Sequence, residues 1–173
     1  MAIRDIIEAP DPRLTTPSPP VEQVDDALRR LLDDLLETMY AAPGIGLAAP
    51  QVGVPKRAFV VDLGEADARA PLFVINPEIV WRSEATSAVE EGCLSLPQHY
   101  GEVSRAKEVR VRFTDREGAL QEIAAEGLLA RCLQHEIDHL DGILFVDHLS
   151  TLKRALILRK LAKAKRARER ASA

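Results

Sequence analysis

Two histidines four residues apart, His135 and His139, constrain this 173-residue chain more than any other feature. Residues at i and i+4 share one face of an α-helix, so both imidazoles can reach a single metal ion, with Glu136 beside them as a carboxylate base. The apolar flanks Leu128, Leu129, Leu133 and Leu140 predict a helix over about 128–140. The competing reading, a charged helix with two histidines at that spacing by coincidence, fits those apolar flanks poorly.

A catalytic ion usually takes three protein ligands and keeps one position open for water. The extended pattern HExxHxxGxxH holds as far as Gly142, but its last position is Phe145, which cannot ligate. The pattern with a downstream glutamate fails too, because the only one after His139 is Glu169, inside a basic tail. Upstream, Glu91-Gly92-Cys93-Leu94-Ser95 offers Cys93. A buried core thiol is the plain alternative, but two imidazoles awaiting a third ligand favour a thiolate. Cys132, three residues before His135 on the same helix face, is expected to wall a pocket, since a fourth protein ligand would close the site. His99 and His148 have no partners at useful spacing and are expected on the surface.

The remaining pattern predicts an α+β fold. Leu28, Leu31, Leu32, Leu35, Leu36 and Met39 form one helical stripe with Arg29, Arg30, Asp33, Asp34 and Glu37 opposite; Asp25 or Asp26 caps it and Pro43-Gly44 stops it. The prolines at 10, 12, 17, 19 and 20 make an extended arm ahead of it. Strands are expected over 58–63 and 72–75, the second closed by Asn76-Pro77. Further strands are expected over 79–82 paired with 85–90, and over 109–114 paired with 120–125. A tail helix starts near Ser150 or Thr151. Helix, short strands, then helices implies antiparallel sheets packed around a central metal-binding helix, with one domain over 1–150 and a helical tail over 151–173. Aromatics are only 4%, so Leu, Val, Ile and Ala must build the core.

Gly44-Ile45-Gly46-Leu47-Ala48-Ala49-Pro50-Gln51 superficially fits the dinucleotide fingerprint GxGxxA. That motif must follow a strand and open a helix, whereas here a helix precedes it and Pro50 and Pro55 forbid one after it. Close backbone approach to a ligand or strand is the better use of the glycines, with Gln51 free to aim its amide at a site; an incidental turn is the alternative.

Net charge is −4, but residues 151–173 carry nine cations against Glu169 alone, so the tail is +8 and the remainder −12. An acidic body with a basic tail points to one local anionic contact and away from a DNA-binding domain. The first residues lack an apolar h-region and cleavage site, and no apolar run is long enough to span a bilayer, so a cytosolic protein with no membrane contact is expected. With two cysteines in a reducing compartment, metal or pocket roles come before a disulfide.

Three of these segments, 44–51, 91–95 and 134–139, match in order and approximate spacing the signature motifs of the peptide deformylases, and the chain resembles that family over nearly its whole length. The resemblance implies an α+β fold and removal of the N-formyl group from formyl-methionyl nascent peptides as formate. It implies a metal held by Cys93, His135 and His139, natively Fe2+ with Zn2+, Ni2+ or Co2+ able to replace it. Glu136 would be the general base, and the Gln51 amide and Leu94 N–H would hold the oxyanion. Ile45, Val89, Leu128, Arg131 through its alkyl stem, and Cys132 would form the methionine pocket, while Ile45-Gly46 and Glu91-Gly92 would pair with the peptide backbone. It further implies a monomer whose basic tail contacts the ribosome. The other readings are a zincin-type peptidase and a ribosome-associated binding protein with a structural metal.

Overall fold

The computed structural model describes residues 2–64 and 67–173. Helix α1 spans Asp26–Ala41, and Asp25 caps it by accepting the Leu28 N–H at 2.9 Å. Its leucine stripe is buried as expected, but Asp34 is not on the solvent face. It is buried, accepts the Ala2 N–H at 2.8 Å and pairs with Arg4, tying the N-terminal arm to the helix.

Seven strands follow among the described residues: β1 (Gly46–Ala48), β2 (Ala58–Val61), β3 (Leu72–Arg82), β4 (Thr86–Cys93), β5 (Leu96–Ala106), β6 (Glu108–Thr114) and β7 (Leu120–Glu126). Five make an antiparallel sheet in the order β1-β2-β3-β6-β7, and β4-β5 is a separate hairpin. The predicted pairing of 109–114 with 120–125 is present. The predicted pairing of 79–82 with 85–90 is not. Residues 79–82 are the far half of β3 and pair with β6, while β4 pairs with β5.

Asn76-Pro77 does not end the strand, because the chain bulges there with Asn76 at φ +50°. The Asn76 side chain bonds both the N–H and the C=O of Val21 at 2.8 Å, tying the bulge to the N-terminal arm. Strand β5 escaped the sequence because its inward positions include His99, Gly101 and Arg105, which break the apolar alternation.

Helices α2 (Gly127–Leu140) and α3 (Thr151–Ala171) complete the fold. Strand β2 is buried on both faces: Phe59 and Val61 meet Leu133, Ile137 and Leu140 of α2, while Ala58 and Val60 meet the α1 stripe. That explains its unbroken apolar run. A third cluster gathers Leu14, Leu96, Val103, Phe145 and Leu161 under the tail. Among the leucines and isoleucine of the tail, only Leu161 is buried; Ile157 and Leu158 pack partly, and Leu152 and Leu156 are exposed. No helix among the described residues is long and apolar enough to cross a membrane.

Candidate metal centre and catalytic cleft

Helix α2 places His135 and His139 with their Nε2 atoms 3.2 Å apart, and the Cys93 Sγ at the end of β4 lies 3.4 Å from the His139 Nε2. The donor atoms of all three residues fall within 4.8 Å of one another. Ligand atoms about 2.0–2.3 Å from a tetrahedral ion lie roughly 3.3–3.8 Å apart, so this donor set fits one ion. Glu91 precedes Cys93 by two residues in β4 and therefore shares its face. Its Oε1 accepts from the His135 Nδ1–H at 2.9 Å, which turns Nε2 towards Cys93 and His139. Two guanidiniums hold Glu91 in turn, Arg105 at 2.6 and 3.0 Å and Arg131 at 2.5 Å.

The electrostatics follow from burial and proximity. Burial opposes charge on His135, but hydrogen bonds to Cys93 and Glu91 outweigh it and raise the pKa to about 10. His139 is pushed well below its ordinary value by burial and by the neighbouring His135 charge. The imidazolium charge therefore sits on His135 and not on His139, and a cation bound between them would displace it. Burial raises Glu136 to about 7, the range in which a carboxylate can both take and give a proton, and its Oε2 is buried without a partner. Burial, with the carboxylates of Glu136 and Glu91, pushes the Cys132 thiol up to about 12. A neutral thiol suits a pocket wall, and Cys132 stands outside the three-donor cluster.

Most of these groups open on one cleft of about 440 Å3. Ile45, Gly46, Gln51, Val89, Glu91, Gly92, Cys93, Leu94, Leu128, Arg131, Cys132, His135 and Glu136 line it; His139 is buried behind them. Gln51 is fixed at both ends of its amide: Oε1 accepts the Ala48 N–H at 3.0 Å and Nε2 donates to the Ser95 Oγ at 3.1 Å. Phe145 is buried in the third cluster, so the position of the extended peptidase ligand is occupied by core.

The sequence profile of the polypeptide deformylase family matches residues 3–155. The peptide deformylase of Rhizorhabdus wittichii is 58% identical over 99% of this chain and 100% of its own. The chain belongs to the polypeptide deformylase family. Among solved structures, the peptide deformylase of Ehrlichia chaffeensis superposes with a TM-score of 0.91 at 41% identity, covering 96% of this chain and 98% of that one. The enzyme of Legionella pneumophila gives 0.89 at 50% identity, covering 98% and 99%.

Within this deformylase-family cleft, several residues escaped sequence reasoning. Glu91 was expected to offer only backbone, yet its carboxylate is the hub for His135, Arg105 and Arg131. Its spacing from Cys93 in a strand was the available signal. Ser95, which orients Gln51, carried none. His99 is not a free surface residue but lines the cleft, and His148 has a partner, Asp138 at 2.8 Å, which in turn bonds Arg105.

Proposed function

We propose that this cleft hydrolyses the N-formyl group from formylmethionine at the start of new proteins, and that Cys93, His135 and His139 hold the one divalent ion it needs. The observation that carries the reading is a thiolate and two imidazoles gathered beside a buried, unpartnered Glu136 oxygen. When bound, the ion supplies Lewis acidity towards the formyl carbonyl and a water acidic enough to ionise near neutral pH. Glu136 takes the proton from the attacking water and delivers it to the departing amine; the C–N bond breaks and formate leaves. The Gln51 amide and the Leu94 N–H donate to the carbonyl oxygen as it gains charge. Ile45, Val89, Leu128, the Arg131 stem and Cys132 receive the methionine side chain, and the peptide backbone pairs with Ile45-Gly46 and Glu91-Gly92.

Fe2+ is the native ion in this reading, and the mixed thiolate–imidazole set also accepts Zn2+, Ni2+ and Co2+; metal analysis after anaerobic purification tests it. The catalytic body is residues 1–150, acting as a cytosolic monomer, and the tail over 151–173 contacts ribosomal RNA with an affinity that falls as salt rises. Formate release from formyl-Met-Ala-Ser tests the activity. Glu136→Gln should lower kcat by about 10²–10⁴ with metal retained; undiminished turnover would show that Glu136 is not the base.

A further inference from the structure

Beside the cleft lies a second hollow of about 790 Å3, and Val89, Leu128 and Arg131 line both. Val89 and Leu128 are half exposed at the mouth, 47% and 55%. Arg131 is buried and tied down instead. Its Nη1 donates to the Glu91 Oε2 at 2.5 Å and the Val103 carbonyl at 3.0 Å; its Nη2 donates to the Ser87 carbonyl at 2.8 Å. Glu91 lines the cleft and Ser87 lines the second hollow, so the guanidinium runs crosswise from one to the other. The hollow is open behind it: a Cβ built on Gly127, which also lines it, meets no atom within 4 Å.

We propose that Arg131 is the end stop of the first-residue pocket, its tethered guanidinium walling the pocket off from the second hollow and so limiting the length of side chain accepted. The proposal rests on the deformylase reading of the cleft. An untethered arginine would swing aside for a longer side chain. This one cannot, because leaving would break its hydrogen bonds to Glu91, Val103 and Ser87 and strip a cation from the buried Glu91. With the crossbar removed, a longer unbranched side chain would find Val89, Leu128, Ala85 and Ala106 along the second hollow.

The test compares two formylated tripeptides, one beginning with methionine and one with 2-aminodecanoic acid, whose unbranched side chain is about twice as long. Formate release is measured for the unmodified protein, Arg131→Ala and Arg131→Met, each checked for fold by circular dichroism. Calorimetry with the same peptides on metal-free protein reads the pocket without turnover. Arg131→Ala should raise the long-to-methionine ratio of kcat/KM by at least ~10-fold, the scale of added contacts in an apolar pocket, with the change in KM and the same trend in Kd. Arg131→Met, which keeps the stem and loses the guanidinium, should shift it in the same direction by less. An unchanged ratio in the folded variants overturns the proposal, as does an unmodified protein that already takes both peptides equally. If Arg131→Ala does not fold, Arg131→Met decides alone. Failure of the unmodified protein to release formate from formyl-Met-Ala-Ser would overturn the reading of the cleft instead, which keeps the two failures apart.

Discussion

At the scale of single residues, the site depends on one carboxylate that must stay charged while buried. Burial alone would protonate Glu91, but the His135 and Arg105 hydrogen bonds hold it far below the usual carboxylate range. As an anion it can only accept, which fixes the His135 tautomer. Glu91→Gln should therefore weaken metal binding by about 10–100-fold, read by competition with a chelator; unchanged affinity would mean that His135 needs no such partner. Glycine at 46 is demanded by Glu136: a Cβ there would lie 2.5 Å from its Oε1. Gly46→Ala should cost roughly 10²-fold in kcat by displacing that oxygen, with the melting temperature nearly unchanged. The paired histidines of α2 with Glu136 beside them were legible because helical spacing carries them. The Glu91 hub was not, because its partners lie 14, 40 and 44 residues away in sequence.

Among the elements, α1 and the β6-β7 pairing could be read from periodicity, and α2 from its apolar flanks Leu129, Leu133 and Leu140, which pack in or against the sheet core. The β4-β5 hairpin could not. Its inward side is spent on the site, so His99, Gly101 and Arg105 stand where apolar residues would have announced a strand. The tail helix shows the opposite error, with more apolar residues than it buries. Leu161 is its one buried side chain, packed with Phe145 and Leu14 in the third cluster. Leu161→Ala should destabilise the protein by about 2–4 kcal/mol. Leu152→Ala and Leu156→Ala, both exposed, should each stay within roughly 0.5 kcal/mol. Urea melts of the three variants check this, and equal losses would mean that the whole apolar face is docked.

Across the whole molecule, the N-terminal arm runs from the cluster under α1, where Ile6 packs, to the cluster under the tail, where Ile7 and Ala9 pack. The Ala2 N–H bonds Asp34 and the Arg4 N–H bonds Thr38 on α1; the Ile7 N–H reaches the Gln51 carbonyl and the Ala9 N–H the Ser95 carbonyl. Gln51 and Ser95, bonded to each other in the cleft, are thus braced by a strap anchored at Asp34. Burial would raise the Asp34 pKa, but the Ala2 N–H and Arg4 more than offset it, so the folded value is depressed. A depressed carboxylate contributes stability that is fully present above its ordinary pKa, about 4, and is lost as pH falls through the folded value. Asp34→Asn should therefore be about 1–2 kcal/mol less stable at pH 7, the worth of a hydrogen bond to a charged group. The gap to the unmodified protein should close as both are titrated below about pH 4. Thermal melts of the pair across that range decide it: a gap that persists in acid would show that shape, not charge, holds the strap.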